Sequence, residues 1–256
     1  MKKIGMILVL LALFSPGMAL ADVVSFKLGF FFPRANSDLW RTELGTSYPE
    51  EGNMDLSKSD YTGSIFGFAY EYFVSREIAI QISIDGYTKQ KSGVYLDYDG
   101  LTDFDGDWAY PIGSLNNPDF VPQHVFSVSV TPIQMSLKFT PLGRGQRIIP
   151  YIGGGVGLYI WSARLQGDVV DFSDPYIDTA LNVEVYPVDP ADIRDENNLL
   201  IGFQALGGVM FPLANRISVE LEVKYNFAKG NLDEFIGFEP FDLNGLQAGL
   251  ALNYWF

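Results

Sequence analysis

Leu246–Phe256 reads LQAGLALNYWF, with Leu246, Ala248, Leu250, Leu252, Tyr254 and Phe256 alternating against Gln247, Gly249, Ala251, Asn253 and Trp255. A period of two with one oily face is the signature of a β-strand. In a soluble protein a terminal strand of this kind leaves an apolar edge that invites aggregation. A closed transmembrane barrel removes that problem. The strand is paired on both edges, its oily face meets lipid, and Tyr254, Trp255 and Phe256 fall where an interfacial aromatic girdle belongs.

The other end of the sequence agrees. Lys2 and Lys3 precede the apolar run Ile4–Phe14, and Ala19-Leu20-Ala21 places small residues where a signal peptidase reads. Residues 1–21 are therefore expected to be a signal peptide and 22–256 one barrel domain. The apolar run is too short to span a bilayer as a helix. The net charge of −14 becomes more negative once Lys2 and Lys3 are removed, which excludes nucleic acid as a partner. With no Cys in the chain there is neither a lipid-anchoring cysteine nor a disulfide.

Period-two segments recur eight times. The first is about Val23 to Phe32, with Val24, Phe26, Leu28 and Phe30 on the oily face. The second is about Ser64 to Phe73, where Phe66, Phe68, Tyr70 and Tyr72 oppose Gly67, Ala69 and Glu71. In the third, Ile78, Ile80, Ile82 and Ile84 alternate with Ala79, Gln81, Ser83 and Asp85. The fourth, about Phe126 to Thr140, changes phase: Phe126, Val128 and Val130 are apolar at even numbers, Ile133, Met135, Leu137 and Phe139 at odd ones. A bulge beside Pro132 would return both halves to the lipid face. The fifth, about Tyr151 to Arg164, sends Gly153, Gly155, Gly157, Tyr159 and Trp161 inward. The sixth is about Leu200 to Phe211, the seventh Ile217 to Phe227, and the eighth the stretch quoted first. Each is about the length, roughly 9–11 residues, that a tilted strand needs to cross the hydrocarbon layer.

The connectors alternate in length. Val74–Glu77, Pro141–Ile148 and Pro212–Arg216 are short, whereas Pro33–Gly63, Thr88–Val125 and Leu165–Leu199 each exceed 30 residues and Ala228–Leu243 has 16. That asymmetry separates short periplasmic turns from long extracellular loops. A secreted β-sandwich would need apolar faces on two sheets and would not require it.

In this architecture, its leader and its terminal Phe256, the chain resembles the eight-stranded outer-membrane barrels of the OmpA/OmpW type over nearly all of the mature length. Leu252, Tyr254 and Phe256 also resemble the C-terminal signal by which the barrel assembly machinery recognises such proteins. The resemblance implies an all-β, eight-stranded antiparallel up-and-down transmembrane barrel in the bacterial outer membrane, both termini periplasmic, set in outer-membrane lipid. It further implies a mouth through which a small apolar molecule could enter and leave sideways into lipid.

An eight-stranded barrel is just wide enough for side chains to fill. Strand phase points Lys27, Glu71, Asp85, Lys138, Glu220, Glu222 and Lys224 inward, with Lys27, Glu71, Lys138 and Glu220 at similar depth and Glu222 slightly above. Opposite charges in so narrow a lumen should pair, as a structural plug or, if the pairs rearrange, as a gate. Asp97, Asp99, Asp103, Asp105 and Asp107 cluster in DYDGLTDFDGDW. Carboxylates between glycine turns suit a hard cation, so calcium is the one candidate cofactor, although the spacing departs from an EF-hand and a solvated acidic loop is the simpler reading. His124 is the only histidine, three and five residues from Ser127 and Ser129, with Asp119 before it. Odd separations put side chains on opposite faces of a strand, so no catalytic constellation forms. Aromatic and proline residues fill the long connectors, which are expected to fold over the mouth and to offer contact area to a surface partner. The expected role is that of a non-enzymatic barrel acting structurally or through its extracellular loops on an external ligand. The alternative is a passive channel for small or hydrophobic solutes.

Overall fold

Val23–Pro33 and Gly245–Trp255, the two strands farthest apart in sequence, lie side by side, with Val24 opposite Tyr254 and Phe32 opposite Leu246. That pairing closes the sheet. The computed structural model describes residues 22–34, 56–94, 101–102, 105–111, 121–171, 174–180, 182–230 and 241–256. Eight strands form the wall: β1 (Val23–Pro33), β2 (Gly63–Phe73), β3 (Ile78–Val94), β4 (Gln123–Phe139), β5 (Ile149–Val170), β6 (Val183–Ala214), β7 (Ile217–Phe227) and β8 (Gly245–Trp255). Each is antiparallel to its neighbours in sequence, and every wall strand has both edges paired. Closure abolishes the exposed edge that the terminal strand would otherwise present. The expected signal peptide, residues 1–21, lies outside the described residues.

The outer surface carries a continuous apolar band. Phe26, Leu28, Phe66, Phe68, Met135, Leu137, Ile152, Ile201, Phe203, Leu221, Leu250 and Leu252 are all exposed. So much apolar area facing outward is uphill in water and favourable in hydrocarbon, and it marks the part of the barrel that lies in a membrane. At the turn end this band finishes in Tyr72, Phe139, Tyr254 and Phe256, also exposed.

Two expectations are corrected. First, β4 has no bulge at Pro132. His124, Phe126, Val128, Val130, Pro132, Gln134, Ser136 and Lys138 are all buried, in one unbroken phase, and β4 pairs with β3 and β5 without a register shift. Phe126, Val128 and Val130 therefore face the barrel interior and not lipid. On the same strand the outer face turns from Phe139, Leu137, Met135 and Ile133 to Thr131, Ser129 and Ser127. Both faces of β4 change polarity at Pro132 because the strand leaves the lipid there: outside becomes wet, and the inside becomes the dry core.

Second, Leu165–Leu199 is not a long loop. β5 and β6 run far past the apolar band, paired from Ile149 opposite Met210 to Val170 opposite Val188. A bulge between Trp161 and Ala163 is their one irregularity. Tyr176–Asp178 continues the hairpin against Val183–Val185. The other edge of β6 receives Trp108–Pro111, from the connector between β3 and β4, with Ala109 opposite Pro187. Because β3 and β4 are separated from the β6–β7 seam by β5 and β6 on one side, that connector reaches well around the loop end of the barrel.

Candidate functional site

The interior is organised in levels, beginning at the turn end. Phe73 and Trp255 stack with ring centroids 5.7 Å apart and planes 7° from parallel. The Arg144 guanidinium lies over the Phe73 ring of this floor, 3.4 Å from its centroid, and donates to the Ser75 carbonyl at 2.9 Å. Trp255 thus belongs to the floor rather than to the interfacial girdle, and its indole N–H donates to Ser218 Oγ at 2.9 Å. An odd-numbered residue on β8 has no other place to go, since Tyr254 and Phe256 take the outer face.

Above the floor, Lys138 Nζ is 2.7 Å from Glu71 Oε2 and 3.3 Å from Glu220 Oε1. The Tyr151 ring packs under this ammonium, 3.8 Å from centroid to Nζ. Its hydroxyl lies against both Glu220 and Glu222. Asn253 donates to Glu220 Oε2 at 2.9 Å. One level higher, Lys27 Nζ meets Glu222 Oε1 at 2.7 Å. Higher again, Lys224 Nζ holds Asp85 Oδ2 at 2.5 Å and Gln134 Oε1 at 2.6 Å. The Gln134 amide donates to the Tyr159 hydroxyl and to Asn226 Oδ1, each at 2.9 Å.

All seven inward charges read from strand phase are buried in the lumen, and each has an opposite partner within 3.3 Å. Their pairing departs from the expected common depth of Lys27, Glu71, Lys138 and Glu220: Lys27 joins Glu222 one level higher, and Glu71 joins Lys138. Register explains the offset, because Val23, four residues below Lys27, is the β1 residue opposite Glu71. Three lysines face four carboxylates. Arg144, which lines the same small void as Glu71, supplies the fourth positive charge from the turn. Burial lowers the Arg144 pKa from its ordinary value, against the opposing pull of Glu71, Glu77 and Asp22. Unpaired buried charge costs several kcal/mol, so this balance is what makes a charged interior tolerable. Gly67 and Gly208 make room for it: a Cβ at the first would run into the Asp85 carboxylate, and at the second into the Tyr151 hydroxyl.

Tyr151, Gln134, Asn226, Asn253, Trp255 and Arg144 belong to this network although the charge pattern alone does not single them out. Phase would have found the first five, since each shares parity with an inward neighbour on its strand. Arg144 carries no such signal, being a turn residue that folds back.

Beyond Tyr159 the interior becomes mainly apolar, although His124 and Asp195 are also buried there. Phe126, Val128, Val130, Trp161, Ala163 and Leu165 pack with Leu56, Tyr61, Ile65, Tyr87 and Leu243. Leu56 and Tyr61 come from the connector between β1 and β2, which enters the mouth through a short 3-10 helix, Lys58–Tyr61. The Tyr61 hydroxyl donates to the Phe126 carbonyl at 3.2 Å, and Tyr87 donates to the Tyr61 carbonyl. Among the described residues, voids of about 20 Å³ lie beside Lys27, Asp85 and Gln247 and beside Tyr87 and Tyr159. Each is room for a water or two, not for a solute.

The other candidate residues are dispersed. His124 is buried on the inner face of β4, whereas Ser127 and Ser129 face outward, so the three do not converge. Asp119 lies outside the described residues, as do Asp97, Asp99 and Asp103. Asp105 and Asp107 are exposed on either side of Gly106, whose φ is 91°. Among the described residues no group of three or more His, Asp or Glu side chains is placed to hold a metal. Leu252, Tyr254 and Phe256 all point outward, and the Phe256 amide donates to the Asp22 carbonyl at 3.0 Å where the barrel closes. On the outer face of the β5–β6 extension, Arg164 grips Asp192 through Nε at 2.6 Å and Nη2 at 2.8 Å, and Arg194 adds a contact at 2.7 Å. These two arginines hold the Asp192 carboxyl far below its ordinary 3.8.

A closed eight-stranded antiparallel sheet with an apolar outer band and a paired polar interior defines the class: an eight-stranded transmembrane β-barrel. No family model matches the chain, and no curated protein matches it in sequence. Among solved structures it is similar to Neisserial surface protein A, with 11% identity, 92% of this chain and 97% of that one covered, and a TM-score of 0.45. It is also similar to the attachment invasion locus protein Ail of Yersinia pestis, with 10% identity, 93% and 100% covered, and a TM-score of 0.42. A third is the N-terminal β-barrel domain of Pseudomonas aeruginosa OprF, with 9% identity, 93% and 100% covered, and a TM-score of 0.38.

Proposed function

We propose that this protein is a non-enzymatic barrel of the bacterial outer membrane, closed along its lumen, that acts through the surface it projects beyond the lipid. The observation that carries this reading is the filled interior. Among the described residues, floor, ion network and apolar cluster follow one another, and the voids beside them are water-sized. What remains for function is the outside: the β5–β6 extension, the segment 108–111 docked on it, and the connectors between β1 and β2 and between β3 and β4. These would meet an external ligand or surface partner. In this reading the short turns and both termini face the periplasm, and Leu252, Tyr254 and Phe256 present the strand that the assembly machinery engages.

The test is conductance of the purified, folded protein in planar bilayers, paired with a binding screen against surface partners. The proposal expects electrically silent bilayers and loss of partner binding when residues 171–182 are replaced by a short turn. Large, steady, salt-dependent conductance would instead establish a passive channel for small or hydrophobic solutes.

A further inference from the structure

The turn end of the barrel carries arginine in a repeating pattern, with Glu77 the one acidic residue on its three short turns. Half of the chain's eight arginines lie on its three short turns: Arg76, Arg144, Arg147 and Arg216. Arg144 is folded back over Phe73, which leaves Arg76, Arg147 and Arg216 exposed. Each turn also exposes large apolar side chains beside its arginine: Val74 next to Arg76, Leu142 and Ile148 around Arg147, and Leu213 near Arg216. Arg216 further donates to the Tyr254 hydroxyl at 3.3 Å, at the level where the outer aromatic residues end. An apolar side chain dipping into the hydrocarbon boundary with a guanidinium reaching outward is the arrangement of a group that meets lipid phosphates. It stands out in a chain whose net charge is −14.

Resting on the membrane reading above, we propose that this rim binds the phosphate headgroups of anionic glycerophospholipids in the leaflet that the turns face. Arg76, Arg147 and Arg216 provide a separate cation on each of the three turns, spaced around the base, so the rim collects several lipids rather than one. Guanidinium suits the task, since it stays charged and its planar fork matches two phosphate oxygens. Because the rim is exposed, the preference should weaken as salt screens it.

The test uses the full barrel in nanodiscs of phosphatidylcholine containing a minor fraction of phosphatidylglycerol, with the lipids retained on the protein counted by native mass spectrometry. A per-site preference for phosphatidylglycerol of about fivefold is expected at low salt, falling toward one in the R76Q/R147Q/R216Q variant. The R76K/R147K/R216K variant keeps the charges and should keep most of the preference. Equal retention of the two lipids by the wild type, or a preference unchanged in the glutamine variant, would overturn the inference while leaving the membrane reading intact. A loss as large in the lysine variant would also overturn it, since positive charge would then not be the cause. A protein that gives no heat-modifiable folded form in any bilayer would overturn the membrane reading itself, and the inference with it.

Discussion

The lower and upper halves of the lumen are built by the same strands and could hardly differ more. Below Pro132, β4 sends Lys138, Ser136 and Gln134 inward, and they meet Glu71, Glu220, Gln204 and Asn226. Above Pro132 it sends Val130, Val128 and Phe126 inward to an apolar cluster. The outer face makes the opposite change at the same point. A barrel wall in lipid must be oily outside, and its narrow interior can hold polar groups only if they are paired. The same wall in water gains nothing from an oily exterior, and it is held together by burying apolar side chains within. One chain therefore follows the membrane rule and the soluble rule in sequence along a single strand, and the crossover marks the outer limit of the membrane band.

The largest effect should come from the lower half. Replacing Lys138 by Met leaves Glu71 and Glu220 without their cation and should cost about 3–5 kcal/mol, read by urea unfolding in lipid vesicles. Lowering the pH should shrink that loss, because protonating the carboxylates removes the uncompensated charge. A loss that is unchanged at low pH would mean that packing, not charge, sets the lower half.

Phe126→Ala makes the matching cut in the upper half. It should also cost about 3–5 kcal/mol, from lost burial and the cavity left behind, but without pH dependence. A neutral result would show that Phe126 is not in a core at all.

Two outward positions on one strand then locate the boundary. Met135→Arg places a charge on the lipid face and should cost about 2–4 kcal/mol, whereas Ser129→Arg lies past the crossover and should cost about 0–1 kcal/mol. Equal costs would erase the boundary. The smallest effect belongs to Asp192, on the exposed wall of the extension. Its folded pKa is depressed by Arg164 and Arg194, so its contribution is fully present above the unfolded value of 3.8 and is lost as pH falls through the lower folded one. Protection of the β5–β6 amides, taken relative to their intrinsic exchange at each pH, should accordingly hold at pH 5 and fall below about pH 4, a change absent in Asp192→Asn.

Much of this was legible in the residues alone. Eight alternating segments, the order of short turns and the face of every lumen charge follow from parity, because lipid imposes a strict outward apolar rule on all eight strands. What parity does not carry is depth across the lumen. Lys27 pairs with Glu222 rather than Glu71 because strand stagger, a property of the closed sheet, sets which side chains share a level. The apolar rule also fails wherever the wall has left the membrane. Phe126, Val128 and Val130 satisfy a strand pattern equally well with either side as the oily one, so the change of phase reads as a bulge when the surrounding solvent is taken to be lipid throughout. The β5–β6 extension was hidden for a related reason. Its outward Ser162, Arg164, Gln166, Asp192 and Arg194 give the polar composition of a loop, although their inward neighbours Ala163 and Leu165 are core. Arg144 was invisible because its role depends on a turn folding back beneath the floor.

The crossover at Pro132 can be read directly, since the chain has no cysteine and a single introduced one at each position from 126 to 139 can carry one nitroxide label. Power-saturation measurements in lipid vesicles report whether each label meets oxygen dissolved in hydrocarbon or a polar relaxant in water. Labels at 133, 135, 137 and 139 should meet lipid, labels at 127 and 129 should meet water, and those at 126, 128 and 130 should meet neither. Lipid contact at 126, 128 and 130 would contradict the account, for those side chains would then lie on the outer face and the loop end of the lumen would have no apolar core.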